Sequence, residues 1–99
     1  MPSLIWTPEA IEDVRRLHAF LVPHSHQAAQ RAIGAILQGV INLEDNPELG
    51  RPVEGMPPEF RDLIIPFGAS AYLARYRYDG EQISMVAVRH GREAGFRQI

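Results

Sequence analysis

The spacing of apolar residues changes along the chain, from helical steps in the first half to alternation in the second. Residues 3–6, SLIW, form a short apolar run that predicts a first strand. Apolar residues then recur at helical spacing over residues 8–22. Thr7 offers a side-chain oxygen as N-cap, and Pro8 suits the first helical position. The pattern predicts a helix that begins at Pro8 and ends before Pro23.

A second helix is predicted from the N-cap Ser25 to Asn46, which precedes a proline and therefore disfavours the helical conformation. Its apolar side chains cover a broad face and leave a narrow polar one. We expect such a helix to be buried on two sides. Two helices against a small sheet should leave part of this face near the surface, including some of Ala28, Ala32, Val40 and Leu43.

The second half of the chain alternates between apolar and polar residues. Residues 61–67, 71–78 and 81–90 are predicted as strands. The dipeptide Asp79-Gly80 between the last two is typical of a two-residue type I′ hairpin. The order β-α-α-β-β-β predicts an α+β fold in which a two-helix hairpin packs on one face of a small antiparallel sheet.

The Asp79-Gly80 loop also predicts the pairing of the last two strands. If these two residues form the whole loop, Tyr78 lies opposite Glu81, and the remaining pairs follow by counting. One face of the hairpin is then aromatic and aliphatic, and we expect it to contact the helices. Its members are Tyr72, Ala74, Tyr76, Ile83, Met85 and Ala87.

The other face of the predicted hairpin is half polar. It carries Arg75, Arg77 and His90, whereas Arg89 is expected on the core side and Arg92 beyond the strand. One face of an antiparallel sheet is commonly solvated, so this cluster is either an ordinary wet surface or a surface that contacts something negative.

Composition and charge narrow the class of protein. A chain of 99 residues predicts a single domain, residues 1–99. It contains no cysteine, which excludes disulfides and thiol nucleophiles. We see no signal peptide and no apolar run near the roughly 20 residues of a membrane helix, so a cytoplasmic protein is expected. Residues 1–59 carry a net charge of −4 and residues 60–99 one of +2, and all ten Lys and Arg residues are arginine.

His24 and His26 are the only two histidines that lie within two residues of each other in the sequence, and histidine is a common metal ligand. Two imidazoles in a loop lack the further ligands that a stable metal site requires. No metal site and no cofactor are therefore predicted.

Three segments, LEDNPELGRPVEGMPPEFRDLII, YLARYRYDG and VAVRHGRE, resemble in this order the RelE/ParE superfamily of toxins from bacterial type II toxin–antitoxin modules. The similarity is greatest to the ParE, or plasmid-stabilisation, branch and covers nearly the whole chain. The resemblance implies a toxin that a ParD/RelB-like antitoxin neutralises in a hetero-oligomer. It also implies one of two targets, since ParE-type toxins inhibit DNA gyrase and RelE-type toxins cut mRNA on the ribosome. The shared fold does not decide between them.

The residues allow the two targets to be compared. RNA cleavage by the 2′-hydroxyl needs a general acid, a general base and cations for the phosphate. RelE-type toxins supply several of these groups as lysines, which this chain lacks. The candidates for such chemistry here are His90, Arg61, Arg75 and Arg77. The set is incomplete, so the sequence favours a ParE-like inhibitor that is not an enzyme.

This interpretation assigns two sets of binding residues. The antitoxin is expected on the second helix, at Ala28, Ala32, Val40 and Leu43, although homodimerisation through the same helices stays open. An inactive toxin-like domain that only binds a partner is a third alternative. The expected target-binding residues are Arg75, Arg77, Arg89, His90 and Arg92.

Overall fold

A computed structural model describes residues 1–96, and within them lie two α-helices and five strands. The helices are α1 (Pro8–Leu21) and α2 (His26–Ile41), and a 3₁₀ turn (Asn42–Glu44) continues α2. The strands are β1 (Ser3–Trp6), β2 (Arg51–Pro52), β3 (Phe60–Phe67), β4 (Ser70–Tyr78) and β5 (Gln82–His90).

Both helices begin where the sequence predicts. The hydroxyl of Thr7 accepts the N–H of Ala10 at 3.2 Å, and that of Ser25 accepts the N–H of Ala28 at 3.1 Å. Each cap satisfies one of the backbone donors that a helix start leaves without a partner. The α-helical part of α2 ends at Ile41, five residues before the predicted end, because the chain there tightens into the 3₁₀ turn.

The five strands form one mixed sheet in the order β1-β5-β4-β3-β2. Strands β3 to β5 pair in antiparallel fashion, as predicted. The short β2 also pairs antiparallel with β3, whereas β1 runs parallel to β5 along the sheet edge. The predicted element order and the two-helix layer are confirmed. Strand β2 was not predicted because it is only two residues long and contains Pro52, which suits an edge position alone.

The turn between β4 and β5 is centred one residue later than predicted. The N–H of Asp79 donates to the carbonyl of Gln82 at 3.4 Å, so the loop residues are Gly80 and Glu81. Gly80 has a φ of +97°, which suits the first central position of such a turn. The Asp79 carboxylate accepts the N–H groups of Gln82 and Glu81, and these bonds lower its pKa.

The pairing of β4 with β5 is consequently offset by two residues from the prediction. Tyr78 pairs with Ile83 and Tyr76 with Met85, where the sequence predicted Tyr78 opposite Glu81. A shift of two residues leaves each side chain on its predicted face, because side chains alternate with a period of two. Tyr76, Ile83 and Met85 are accordingly fully buried under the helices.

A β-bulge interrupts β5 after Met85. Arg75 pairs with Ala87, so Val86 is an extra residue without its own partner on β4. One extra residue exchanges the two faces of the strand from that point onward. Val88 is therefore part of the buried core, and the prediction that Ala87 faces the helices is wrong.

The core lies between the helices and the sheet, and α2 contacts the sheet more closely than the sequence suggests. A Cβ on Gly39 would lie 2.8 Å from Cγ1 of Ile65 on β3, so only glycine permits this approach. The residues of α2 and the 3₁₀ turn that face the sheet are buried. They include Ala32, Val40 and Leu43, all at most 1% exposed, so three of the four residues at which the antitoxin was expected do not lie near the surface.

Candidate functional site

The β-bulge at Val86 determines which face of the sheet Arg89 and His90 occupy at the end of β5. Arg89 pairs with Leu73 on the open face of the sheet, the face without helices, and His90 pairs with Tyr72 on the helix side. The sequence predicts the reverse for both residues. That prediction is wrong because the extra residue shifts the alternation by one. Arg92 follows the strand in an exposed turn, as expected.

The open-face arginines of β4 are paired with carboxylates. Asp62 lies opposite Arg75 and accepts two hydrogen bonds from its guanidinium, at 2.8 and 3.0 Å. Arg77 contacts Glu59 at 3.2 Å and Asp79 at 3.7 Å. Opposite charges in contact offset each other's field, so these two arginines attract a phosphate less strongly than unpaired cations would.

Arg89 is held by backbone and by an aromatic ring. Its Nη1 donates to the carbonyl oxygens of Glu93, at 2.8 Å, and His90, at 3.3 Å. Its guanidinium carbon lies 5.1 Å from the centre of the Phe96 ring, and that of Arg75 lies 4.2 Å from the same ring. These are cation–π distances. The segment after β5 therefore folds back across the open face.

The His90 ring is engaged on two sides. Its Nδ1 accepts the backbone N–H of Arg92 at 3.1 Å, and the ring meets Tyr72 edge-on with 5.3 Å between centroids. Burial, and then the nearby negative charge of Glu93, raise the pKa of the Tyr72 hydroxyl. Tyr72 is therefore a poor general base at neutral pH.

Arg61 serves the connector before β3. It lies on the helix side, opposite Tyr76, and its Nη1 donates to the carbonyl oxygens of Gly50 at 2.8 Å and Glu48 at 3.2 Å. The hydroxyl of Tyr76 donates to the same connector, at the carbonyl of Pro47, 2.7 Å away. Arg61 therefore holds the connector in place, and it lies on the opposite side of the sheet from Arg75 and Arg77.

The four residues of the alternative catalytic set are not brought together. Arg75 and Arg77 lie on the open face, whereas Arg61 and His90 lie on the helix side. The β4 partners of Arg61 and His90 are four residues apart, which is about 13 Å along a strand. No single phosphate can contact all four side chains in this arrangement.

An apolar groove runs between α1 and α2 on their outer side. It has a volume of about 310 Å³, and its lining residues are Trp6, Ile11, Val14, Arg15, Ile33 and Leu37. Ile41 extends the α2 side by one further turn and is 53% exposed, and Leu37 is 45% exposed.

This groove, and not the predicted set of residues, provides exposed apolar surface on α2. Of the predicted set only Ala28 is partly exposed. Sequence reasoning missed the stripe formed by Ile33, Leu37 and Ile41, although its four-residue spacing is visible in the sequence. The apolar face of α2 consists of two neighbouring stripes, and only the one that faces the sheet is covered.

Within residues 1–96, no helix is long and apolar enough to cross a membrane. Over the same residues no three potential metal ligands lie together. His24 instead contacts the Phe20 ring, with 5.8 Å between centroids.

The model of a protein family described as "ParE toxin of type II toxin-antitoxin system, parDE" matches residues 4–95. The chain belongs to this toxin family. It is thus a toxin of a type II toxin–antitoxin system, and the family implies an antitoxin as its partner.

Two relatives of the chain are named as RelE toxins. The chain is 38% identical to Toxin RelE1 of Caulobacter vibrioides over 92 residues, which are 92% of this toxin and 95% of the relative. It is 31% identical to Toxin RelE3 of the same organism over 93 residues, 94% and 98% of the two chains. The matching family is therefore named after ParE, whereas these two relatives are named after RelE.

A solved structure shows the same fold. It is described as the chromosomal ParDE TA system from P. aeruginosa, and one of its chains matches with a TM-score of 0.74. The match covers 91% of this toxin and 96% of that chain at 23% identity. The predicted RelE/ParE-like fold is thereby confirmed.

Proposed function

We propose that this toxin inhibits DNA gyrase in the cytoplasm and is not an enzyme. The observation that supports this proposal is the separation of the candidate catalytic residues onto two faces of the sheet. Ribonucleolytic chemistry needs an acid, a base and a phosphate-binding cation around one phosphodiester. His90 has its Nδ1 occupied by a backbone N–H, and the two open-face arginines of β4 are paired with carboxylates.

The proposed gyrase-binding surface is the cationic end of the sheet. Arg92 is exposed there, and Arg89 and His90 flank it on opposite faces. Arg75 and Arg77 continue this surface along the open face. Cationic side chains around a sheet end suit a partly acidic protein surface, and rim charges of this kind govern the rate and orientation of association.

Induction of the toxin in growing bacteria, with a reporter mRNA probed for cleavage, tests this proposal. We expect growth arrest with filamentation, intact mRNA and relaxed plasmid DNA. Arg92→Ala should weaken the arrest, whereas Arg31→Ala, an exposed arginine on α2, should not. His90→Ala should leave the mRNA result unchanged. Arrest with cut mRNA that His90→Ala abolishes would contradict the proposal.

Cleavage of mRNA on the ribosome is the second candidate function, and the names of RelE1 and RelE3 favour it. It requires a rearrangement that brings His90 to an open-face arginine. A toxin that causes no growth defect and still binds its antitoxin would instead be the inactive binding domain.

We further propose that the cognate antitoxin places an amphipathic segment in the groove between α1 and α2. The stripe of Ile33, Leu37 and Ile41 extends over nine residues, about 12 Å of helix. A helix with apolar residues three and four positions apart fits a groove of this length. The antitoxin is the occupant we commit to, because the family pairs each toxin with one.

Leu37→Asp tests the groove. It places a charge where the antitoxin should bury apolar surface, and we expect the dissociation constant of the complex to rise by about 100-fold or more. Leu49→Asp is the matched control, since Leu49 is 48% exposed in the connector and outside the groove. Equal effects of the two substitutions, or none, would contradict this assignment. A change in the toxin's own dimerisation would identify a second copy as the occupant.

A further inference from the structure

Beyond Met85, strand β5 is paired with β4 on one side but no longer with β1 on the other. Strand β1 ends at Trp6, and the hydroxyl and N–H of Thr7 make the last bonds to the Met85 carbonyl, at 2.8 and 3.1 Å. The remainder of β5 is an edge that contains the bulge. A free edge of this kind leaves backbone groups without partners.

Two side chains of α1 take the place of a neighbouring strand. Oδ2 of Asp13 accepts the N–H of Val88 at 2.9 Å, and Nη2 of Arg16 donates to the carbonyl of the same residue at 3.5 Å. Asp13 is only 7% exposed and is the one charged residue in the buried set of residues 1–96. Burying a carboxylate costs free energy unless it accepts hydrogen bonds, and Asp13 accepts one from Val88.

Arg16 then extends this contact to the segment after β5. Its Nη1 contacts Oε2 of Glu93 at 2.8 Å, while Oε1 of Glu93 accepts the N–H of His90 at 2.8 Å. The side chains of Arg16 and Glu93 are 26% and 24% exposed, so water screens the pair only in part. A continuous chain of bonds thus joins α1 to the turn that follows β5.

Glu93 also bonds to the other residues of this turn. Arg89 donates to the Glu93 carbonyl at 2.8 Å, and the Glu93 N–H donates to the carbonyl of His90 at 3.0 Å. Arg92 donates its N–H to His90. The positions of Arg89, His90 and Arg92 relative to each other therefore depend on bonds made by Glu93 or within one residue of it.

We propose that Arg16, supported by Asp13, is a positioning residue for the target-binding surface. By holding Glu93 it fixes Arg89, His90 and Arg92 in one arrangement before the target binds. Residues 91–96 form no helix or strand, and a segment with few buried contacts samples many conformations unless it is tethered. A target would have to order the untethered segment on binding, which lowers affinity.

The contribution of Arg16 to overall stability should be small by comparison. A partly exposed ion pair adds little to the free energy of unfolding, and the apolar core does not involve Arg16. Asp13 differs, because its loss would leave the N–H of Val88 buried without a partner. Substitution of Asp13 is therefore expected to destabilise the fold itself, so Arg16 and Glu93 are the residues to test.

The test compares Arg16→Ala, Arg16→Lys, Glu93→Gln and the control Arg31→Ala. Each toxin is purified with its antitoxin, released and refolded, and amide hydrogen exchange is measured at His90 and Glu93. We expect Arg16→Ala to accelerate exchange at both amides by about tenfold or more, with unchanged exchange in β4. Arg16→Lys keeps a cation near Glu93 and should restore protection in part.

Toxicity on induction is measured for the same variants. Arg16→Ala and Glu93→Gln should need about tenfold more toxin for equal growth arrest, Arg16→Lys should fall between them and wild type, and antitoxin affinity should not change. The proposal is overturned if exchange at His90 is unaltered, or if exchange rises while toxicity is unchanged.

The inference rests on the proposed target-binding role of the cationic end, and the two readouts separate the possible failures. If wild-type toxin arrests growth without affecting gyrase, the gyrase assignment fails, and the toxicity of the Arg16 variants still decides whether this residue positions the surface. If even wild-type toxin is inactive, both the role and the positioning function are overturned, whatever the exchange data show about the bonds.

Discussion

The two faces of the sheet are built on different principles. The helix side is covered by α1 and α2 and is filled by large buried side chains such as Tyr76, Met85 and Ile83. The open face carries arginines that bind carboxylates and an aromatic ring, as in the Arg75–Asp62 pair. Burial of apolar area stabilises the first face, and paired charges keep the second face ordered in water.

This difference separates stability from function. Substitutions on the helix side should change the free energy of unfolding strongly, because they open cavities or leave buried groups without partners. Substitutions on the open face should change it weakly and act mainly on binding. Neighbouring residues on one strand can therefore have very different roles.

Ile65 and Ile64 on β3 give the largest contrast. Ile65 is 5% exposed against α2, and Ile64 is 45% exposed on the open face. We expect Ile65→Ala to lower the free energy of unfolding by about 2–5 kcal/mol, and Ile64→Ala to lower it by less than about 1 kcal/mol. Chemical denaturation of the two variants measures both values. Similar losses would mean that the open face is covered in solution.

Tyr76→Phe should have the next largest effect. The Tyr76 hydroxyl accepts the N–H of Gly50 at 2.9 Å and donates to the carbonyl of Pro47. Loss of the hydroxyl leaves both groups unpaired, at a cost of about 1–3 kcal/mol. Tyr78→Phe is the control, since its hydroxyl makes only an exposed 3.3 Å contact, and it should cost less than about 0.5 kcal/mol. Equal losses would rule out a special role for Tyr76.

The same tyrosine predicts a loss of stability in alkali. Burial raises the pKa of Tyr76 above the ordinary value of 10.0, so the folded protein favours the neutral phenol. The stabilisation is complete below about pH 10 and is lost as the pH rises from there through the folded pKa. Between pH 8 and 11 the free energy of unfolding, measured by denaturation at each pH, should therefore decrease less steeply with pH for Tyr76→Phe than for wild type. Parallel curves would contradict this linkage.

The Arg75–Asp62 pair on the open face should show the smallest effect on stability. A double-mutant cycle with Arg75→Ala and Asp62→Ala should give a coupling energy of about 1–2 kcal/mol, because the bonds are bidentate and the side chains are at most 18% exposed. The control pair, Arg15 and Glu12, is over 70% exposed at 3.8 Å and should couple by less than about 0.5 kcal/mol. A coupling no larger than the control would mean that Arg75 is available to a ligand.

Much of the fold could be predicted from local patterns. Thr7 and Ser25 marked the helix starts, and alternation assigned Tyr76 and Met85 to the core face. These features depend on neighbouring residues and on one side-chain period, so a single sequence is sufficient.

The candidate site could not be predicted in the same way. The faces of Arg89 and His90 depend on Val86, one extra residue that no local pattern marks. The contact of Arg16 with Glu93 joins residues 77 positions apart. Such features arise only when distant elements pack, which also explains why Ala32 and Val40 proved to be buried while Leu37 remained exposed.

The most direct test of the proposed function is a DNA supercoiling assay with purified gyrase and toxin released from its antitoxin. We expect supercoiling to be lost as toxin is added and to be restored by an equal amount of antitoxin. The Arg92→Ala toxin should inhibit supercoiling less than the Arg31→Ala toxin. Undiminished supercoiling at toxin concentrations that arrest growth would contradict the assignment of gyrase as the target.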